Sequence, residues 1–282
     1  MPKVLSLILA FLFAISFLLV AASIIADSLF TRHAEKEVKE LFRNVDKKTG
    51  IVQESDLEGL PLCVQKWLGD SKVIGREKIK IVRLKQKGIM RTTEDGKWMP
   101  VEAEQYFNVD EPGFIWIAKI KMAPFIYIAG RDKYRDGNGH MLIKLLSLIT
   151  LADSRGKEMD QGTLLRYMAE MPWFPTAALS SYIKWEEIDS NRAKATMAYG
   201  GITASGIFEF NHKGELVSFF ANRYRDLNGR YVLQNWGGIT RGYREFNGVR
   251  IPNKTDVIWK PETGDFNWYK CEITEIEYNK TI

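Results

Sequence analysis

The sequence predicts a mainly β protein of the α+β class, in which a curved antiparallel sheet or half-barrel is covered by a short helical insert and preceded by one transmembrane helix. Three observations predict it. The N-terminus is an uncharged apolar run. From residue 78 onward, about ten or more short alternating segments follow one another, joined by tight-turn residues. An apolar helical pair separates two groups of these segments, and no βαβ rhythm occurs.

The apolar run covers residues 4–25 and contains no charged side chain. At about 1.5 Å rise per residue, a helix of this length crosses a hydrocarbon core of about 30 Å. A cleaved signal peptide is the alternative, because Ala21, Ala22 and Ser23 could permit cleavage, but its apolar region spans only about 7–15 residues. We therefore expect residues 1–25 to be an uncleaved anchor whose partner is the lipid bilayer.

The segment after the anchor carries a helical apolar stripe. Phe30, Ala34, Val38 and Leu41 recur at spacings of four, four and three, with charged residues opposite. This pattern predicts a helical stalk or linker over residues 26–48.

The charges beside the anchor bear on its orientation. Lys3 precedes the anchor, whereas Arg32, Lys36 and Lys39 follow it. The positive-inside rule therefore favours a cytoplasmic location for the large domain.

Composition limits the remaining function classes. Among 282 residues, 45% are hydrophobic and 27% are charged, which is typical of a globular protein, so we expect one domain over residues 49–282. The net charge is +5, but basic and acidic residues are interspersed, so nucleic-acid binding is not expected. Cys63 and Cys271 exclude a disulfide scaffold; one bridge is possible, and two buried thiols are favoured.

The alternating segments predict two groups of strands. Asn247-Gly248 and Asp136-Gly137 supply the positive φ that tight hairpins need. The predicted strands are 79–90, 99–107, 114–121, 126–134 and 140–145, then 182–187, 192–199, 202–210, 216–224, 242–246, 249–259 and 266–278.

The helical insert is predicted over residues 160–181. Asp160 can cap a helix over 161–171, which Pro172 ends, and a second short helix is expected over 176–181. Between two runs of strands, the pair is suited to cover the apolar face of the sheet.

No catalytic signature is recognisable. Ser205 lies within a predicted strand rather than a nucleophile elbow. Asp132, Asp136 and His140 are metal-ligand types, but the glycine-rich turn between them breaks any regular face. We expect no metal and no cofactor.

A polar cluster accompanies the insert. Its members are Glu102, Glu104, Glu158, Asp160 and Arg166. A buried network that holds the insert on the sheet is the favoured interpretation; surface charge and acid–base catalysis are the alternatives.

An apolar set, rich in methionine and tryptophan, surrounds the insert. It is either ordinary core or the lining of a groove that accepts an acyl chain. The set comprises Trp116, Met122, Met141, Leu145, Leu164, Met168, Met171, Trp173 and Phe174.

Several motifs resemble a bacterial family of membrane-anchored proteins classified as a domain of unknown function. They are residues 98–107, 112–116, 136–139, 160–167, 173–177 and 273–278. The strand–helix–strand plan is similar to the LolA-like lipoprotein-carrier half-barrel, on architecture alone. That resemblance implies a cell-envelope protein, so we expect a single-pass membrane protein with an extracytoplasmic domain, in conflict with the charge count.

The function expected from these features is binding of a hydrophobic or lipid-like ligand. A structural or interaction module with an unknown protein partner is the second hypothesis, and an enzyme that uses the Glu/Asp/Arg cluster is the third.

Overall fold

The computed structural model describes residues 2–46, 48–227, 229–260 and 264–280. Its α-helices are α1 (Pro2–Leu41), α2 (Leu62–Asp70) and α3 (Lys157–Glu170). The strands are β1 (Ile81–Met90), β2 (Met99–Asn108), β3 (Gly113–Ala123), β4 (Ile126–Arg135), β5 (Asn138–Leu145), β6 (Ile149–Ser154), β7 (Ile183–Glu187), β8 (Arg192–Tyr199), β9 (Ile202–Phe210), β10 (Leu216–Leu227), β11 (Arg230–Phe246), β12 (Val249–Lys260) and β13 (Phe266–Tyr278).

All thirteen strands form one antiparallel sheet. Their order is β6-β5-β4-β3-β2-β1-β13-β12-β11-β10-β9-β8-β7. Each neighbour pair is a hairpin except β1–β13, where Val82 pairs with Tyr278 and joins the two groups. The prediction of a curved antiparallel sheet with a helical cover is confirmed.

The sheet curls until distant turns touch. Gly137, in the β4–β5 turn, lies against Gly200, in the β8–β9 turn, and a Cβ on Gly137 would come within 2.4 Å of the Gly200 carbonyl oxygen. Both glycines have positive φ. Contact this close between two backbones requires glycine on both sides, so these residues fix the closure of the half-barrel.

The core lies inside the curl. Phe107 of β2 and Phe174, after α3, pack with ring centroids 4.6 Å apart, and Tyr167 of α3 contacts both. On the other half of the sheet, Trp67 of α2 stacks on Phe210 at 5.7 Å. Truncating a buried aromatic ring of this kind to alanine costs about 3–5 kcal/mol.

Helix α1 packs on the outer face of the sheet. Val38 and Leu41 form a small buried cluster with Ile115 of β3. The Asn108 side chain donates to the Leu41 carbonyl at 2.8 Å, which satisfies one of the free acceptors at the helix C-terminus. The helix is long and apolar enough to cross a membrane, by length and composition.

Buried charges reinforce the α1 contact. The Glu37 carboxylate pairs with Arg131 at 3.1 Å and with Lys133 at 2.6 Å, both on β4. The segment after the apolar run is thus fixed to the domain as far as Leu41.

Several boundaries differ from those predicted. Strand β6 was missed, and β11 begins at Arg230, twelve residues before the predicted start at 242. Helix α3 begins at Lys157, because Asp160 does not cap it: its carboxylate accepts from the Gly139 backbone N–H on β5 at 2.6 Å. The second insert segment is a short 3-10 turn over Pro175–Leu179.

Candidate functional site

A cavity of about 540 Å³ lies between α3 and the inner face of the sheet. Its walls are mostly apolar and come from both groups of strands. Representative wall residues are Trp116, Ile120, Met141, Ile143, Trp236 and Trp259. A largely apolar cavity of this size falls in the range of small-molecule sites.

Glycine at 130 and 238 widens this space. Gly130 of β4 lines the cavity, and a Cβ there would only touch Trp116 at 3.4 Å and Ile120 at 3.9 Å. Gly238 of β11 also lines it. Because glycine has no side chain, the cavity keeps the space that larger residues at these two positions would fill.

A buried ionic network fixes α3 above the sheet. The Arg166 guanidinium donates to Asp132 of β4 at 2.6 Å and to Glu170, one turn along α3, at 2.8 Å. The same guanidinium lies 5.0 Å from the ring centroids of Phe114 and Trp116. Cation–π contacts in such a desolvated setting add to the two ion pairs.

The network continues across the sheet through neutral groups. Gln105 of β2 donates to Glu170 at 2.7 Å, and Gln86 of β1 donates to Gln105 at 2.9 Å. The Gln86 side-chain oxygen accepts from Trp116 at 3.1 Å and from Tyr269 at 3.3 Å. With Asp132 of β4, five strands and α3 therefore share one polar network within the apolar interior.

Burial perturbs the titration of groups around the cavity. It raises the pKa of Glu170, against the opposing charge of Arg166, and raises the pKa of the Cys271 thiol to about 12. Cys63 and Cys271 are both buried and unpaired. Neither thiol has the lowered pKa and exposure of a reactive cysteine.

Arg223 of β10 occupies a different setting from Arg166. Its guanidinium lies 4.4 Å from the Trp236 ring centroid and 5.9 Å from that of Trp259. Within the described part of the chain, no hydrogen bond or ion pair reaches it. Burial, and the charge of Arg166, lower the pKa of Arg223 to about 10.

Two further donors near Arg223 are poorly satisfied among the described residues. Arg225 stacks between Trp259 and Phe266 and makes only a 3.3 Å hydrogen bond to Gln234. The buried indole N–H of Trp236 has no acceptor in the part of the chain that the structure describes. One wall of the cavity thus holds an excess of hydrogen-bond donors.

The predicted apolar set divides between cavity and core. Trp116, Met141 and Trp173 line the cavity. The remaining members lie elsewhere: Leu164, Met168, Met171 and Phe174 are fully buried in the core, Met122 is exposed, and Leu145 is half-buried at the end of β5. The most apolar side of helix α3 faces the core, so the other side of the helix lines the cavity.

The predicted polar cluster divides in the same way. Glu158 and Arg166 line the cavity, and Asp160 bonds to β5. Glu102 and Glu104 lie on the outer face, where Glu104 pairs with Arg83. They therefore do not pair with Arg166; sequence reasoning missed Glu170, although its i,i+4 spacing from Arg166 was visible.

The metal-ligand trio is dispersed. Asp132 points inward to Arg166, Asp136 lies in an exposed turn, and His140 lies on the outer face between Asp153 at 2.7 Å and Arg131 at 2.9 Å. Burial, then the Arg131 charge, lowers the pKa of His140. Within the described ranges, no three His, Cys, Asp or Glu side chains could hold a metal ion.

A family model matches residues 50–271 of this sequence, and that family is described as a family of unknown function, DUF6544. The chain belongs to this family. The match confirms the resemblance to a domain of unknown function; it covers the cavity and α3 but ends before the motif at 273–278.

Two further comparisons assign no function to this DUF6544 protein. A Vibrio parahaemolyticus structure described as an outer membrane lipoprotein-sorting protein domain aligns with a TM-score of 0.40 and 9% identity, covering 72% of this chain and 87% of that one. No curated protein matches the sequence.

Proposed function

We propose that this DUF6544 domain binds a hydrophobic or lipid-like ligand inside its half-barrel. The observation that carries the proposal is the cavity of about 540 Å³ between α3 and the sheet. Burying an alkyl chain there gains about 0.8 kcal/mol per CH₂, so a chain of moderate length would bind well.

We further infer that the ligand carries an acidic or strongly accepting head group. Arg223 is a half-buried cation without a hydrogen-bonded partner among the described residues, and Arg225 stacks beside it. A carboxylate or phosphate matches the planar fork of a guanidinium. The asymmetry between an apolar wall near Met141 and this donor-rich wall would orient an amphiphile.

The test uses the full-length protein and a cavity-filling variant. We expect Gly130→Leu to place a side chain in the cavity and abolish binding of a dansyl-labelled fatty acid. Gly69→Leu is the matched control, because Gly69 is exposed on α2 and a Cβ there meets no atom of the described residues within 4 Å. Lipids held by the apolar helix are common to both variants, so the difference between them reports on the cavity.

Equal probe binding by the two glycine variants, or none by the unmodified protein, would contradict ligand binding in the cavity and favour an interaction module. The head-group inference has its own variant. Arg223→Met should weaken binding of the fatty acid much more than binding of the matched alcohol. Arg241→Met is the control, since Arg241 is exposed and paired with Asp256. Equal weakening of acid and alcohol would rule out the acidic head group.

A further inference from the structure

Exposed apolar side chains cluster at two neighbouring turns. Phe125, between β3 and β4, is 98% exposed, and Ile149, at the start of β6, is 60% exposed. The turns lie side by side, because the Leu146 backbone N–H donates to the Tyr127 carbonyl at 2.9 Å. Large apolar groups that share one surface indicate an interaction site. We call Met122, Phe125, Ile126, Leu148, Ile149 and Leu151 the apolar tips.

The same turns contact α1 where its apolar run ends. The Ser23 hydroxyl donates to the Leu146 carbonyl at 3.0 Å. One turn further along the helix, Asp27 accepts from Ser147 at 3.0 Å and from Lys119 at 2.7 Å. The turn that carries Leu148 and Ile149 is thus fixed at the level of helix residues 23–27.

The direction of α1 fixes which way the tips point. Helix and strand run side by side: Asp27 pairs with Lys119 of β3, which lies opposite Ala129 in the first half of β4. Glu37 pairs with Lys133 in the second half of β4, and Glu40 pairs with Arg135 at its end. Followed backward from Arg135, β4 approaches the apolar run and reaches Ile126 and Phe125 last. The apolar tips therefore lie at the level of the C-terminal end of the uncharged run, residues 4–25.

We propose that the apolar tips insert into the bilayer beside α1, so that the domain rests on the membrane instead of hanging from a free stalk. The occupant is the lipid surface because the tips adjoin a helix that, within the described part of the chain, is long and apolar enough to lie in hydrocarbon. The proposal requires α1 to remain as a membrane helix.

Charge and aromatic placement agree with this position. Lys121, two residues beyond Lys119 on β3, is exposed, and Lys144 precedes the second turn on β5. The Lys119 ammonium lies 5.1 Å from the Tyr127 ring centroid. Lysine and tyrosine just behind an apolar tip match the order in which a bilayer presents head groups and hydrocarbon.

The insertion would also bring lipid to the cavity. On β3 and β5, the cavity walls include Ile120 and Ile143, which lie between α3 and the apolar tips. A ligand drawn from the bilayer would meet this end of the cavity first. That consequence rests on the proposed function, whereas the insertion itself does not.

The experiment places an environment-sensitive fluorophore on the full-length protein in vesicles of phosphatidylcholine and phosphatidylglycerol. Phe125→Cys carries the label at a tip, and Asp136→Cys carries it at the opposite end of β4. Both residues have positive φ and are exposed, so the strain of substitution is matched. Cys63 and Cys271 are buried and will not compete for the label.

We expect a label at position 125 to emit further to the blue than one at 136, and a quencher attached to lipid to remove most of its intensity while sparing the label at 136. Water-like emission at 125, without lipid quenching, would overturn the proposal. A blue shift that depends on protein density rather than on lipid quencher would assign the tips to a second copy, which also overturns it. If the protein fails to bind fatty acid, both outcomes of this experiment can still be interpreted, because the label does not report on the cavity.

Discussion

Replacing Arg166 tests whether the ionic network is what holds α3 over the sheet. Arg166→Met keeps most of the apolar stem of the side chain and removes the guanidinium, with its charge and its hydrogen bonds to Asp132 and Glu170. It leaves Asp132 and Glu170 facing each other, with side chains 16% and 13% exposed. Two carboxylates would then share a desolvated site with no cation between them.

The structure sets the size of the effect. At an effective dielectric of 20, charges 2.6 and 2.8 Å apart attract by about 6 kcal/mol each. Most of this offsets the cost of removing three ions from water, and breaking such a network by removing one partner costs about 3–5 kcal/mol. For a domain of this size, we expect the melting temperature to fall by about 6–20 °C.

Thermal unfolding of the full-length protein in detergent, followed by near-ultraviolet circular dichroism, measures the loss. Arg192→Met is the control, because Arg192 is half exposed and solvent screens its pair with Asp189, so that its loss should change stability little. A second variant replaces the network as a whole, combining Arg166→Met with Asp132→Asn and Glu170→Gln, and should recover part of the loss. A melting temperature for Arg166→Met no lower than that of the Arg192 control would refute the reasoning.

Three further predictions concern α1 and its side of the sheet. Glu37→Gln leaves the buried Arg131 without its carboxylate, so we expect a loss of about 3 kcal/mol in unfolding free energy, against under about 1 kcal/mol for Glu40→Gln on the same helix. The pKa of His140 is lowered in the folded protein, so protonation of its imidazole opposes folding. The stability that neutral His140 contributes is complete above about pH 6.5 and is lost as pH falls toward its folded-state pKa. His140→Gln should therefore make the melting temperature depend less on pH between pH 7 and 5. We expect an extracytoplasmic domain, so Asp136→Cys should react with an impermeant maleimide on intact spheroplasts; reaction only after lysis would place the domain in the cytoplasm, as the charge count favours.

Most strands were predictable because each shows alternation and ends in a turn of recognisable chemistry. Strand β6 follows a turn with positive φ at Leu146 and Ser147, which carry no glycine or asparagine signal. The first half of β11 contains Gly237, whose Cβ would lie 1.8 Å from the Phe219 carbonyl oxygen. Glycine at this position allows the two strands to approach closely. In the sequence, however, it interrupts the alternation of apolar and polar residues, so the strand is not predicted.

The site was less predictable than the fold. The sequence pattern predicted the helix that covers the sheet. Which side of α3 faces the cavity depends on the curl of the sheet. Asp132 was considered only as a metal ligand, and Arg223 was not singled out, because a charged residue in an alternating strand ordinarily indicates a solvated face. In this curled sheet, the alternate face of the strand is the interior of the half-barrel. No local sequence pattern shows that the sheet curls in this way.

The cavity follows from a mismatch of dimensions rather than from a local defect in packing. An α-helix is about 10 Å wide, so α3 lying across the sheet covers about three residues of each strand. The strands that it contacts, such as β4 and β9, have 10 and 9 residues. The 3-10 segments after Glu170 and helix α2 cover other parts of the inner face, as Phe174 and Trp67 show. The length that stays uncovered lies toward Ile120 and Ile143, the end that the apolar tips share. An apolar surface left open there gains free energy only when a ligand or lipid covers it, which joins the cavity and the membrane-facing turns into one functional hypothesis.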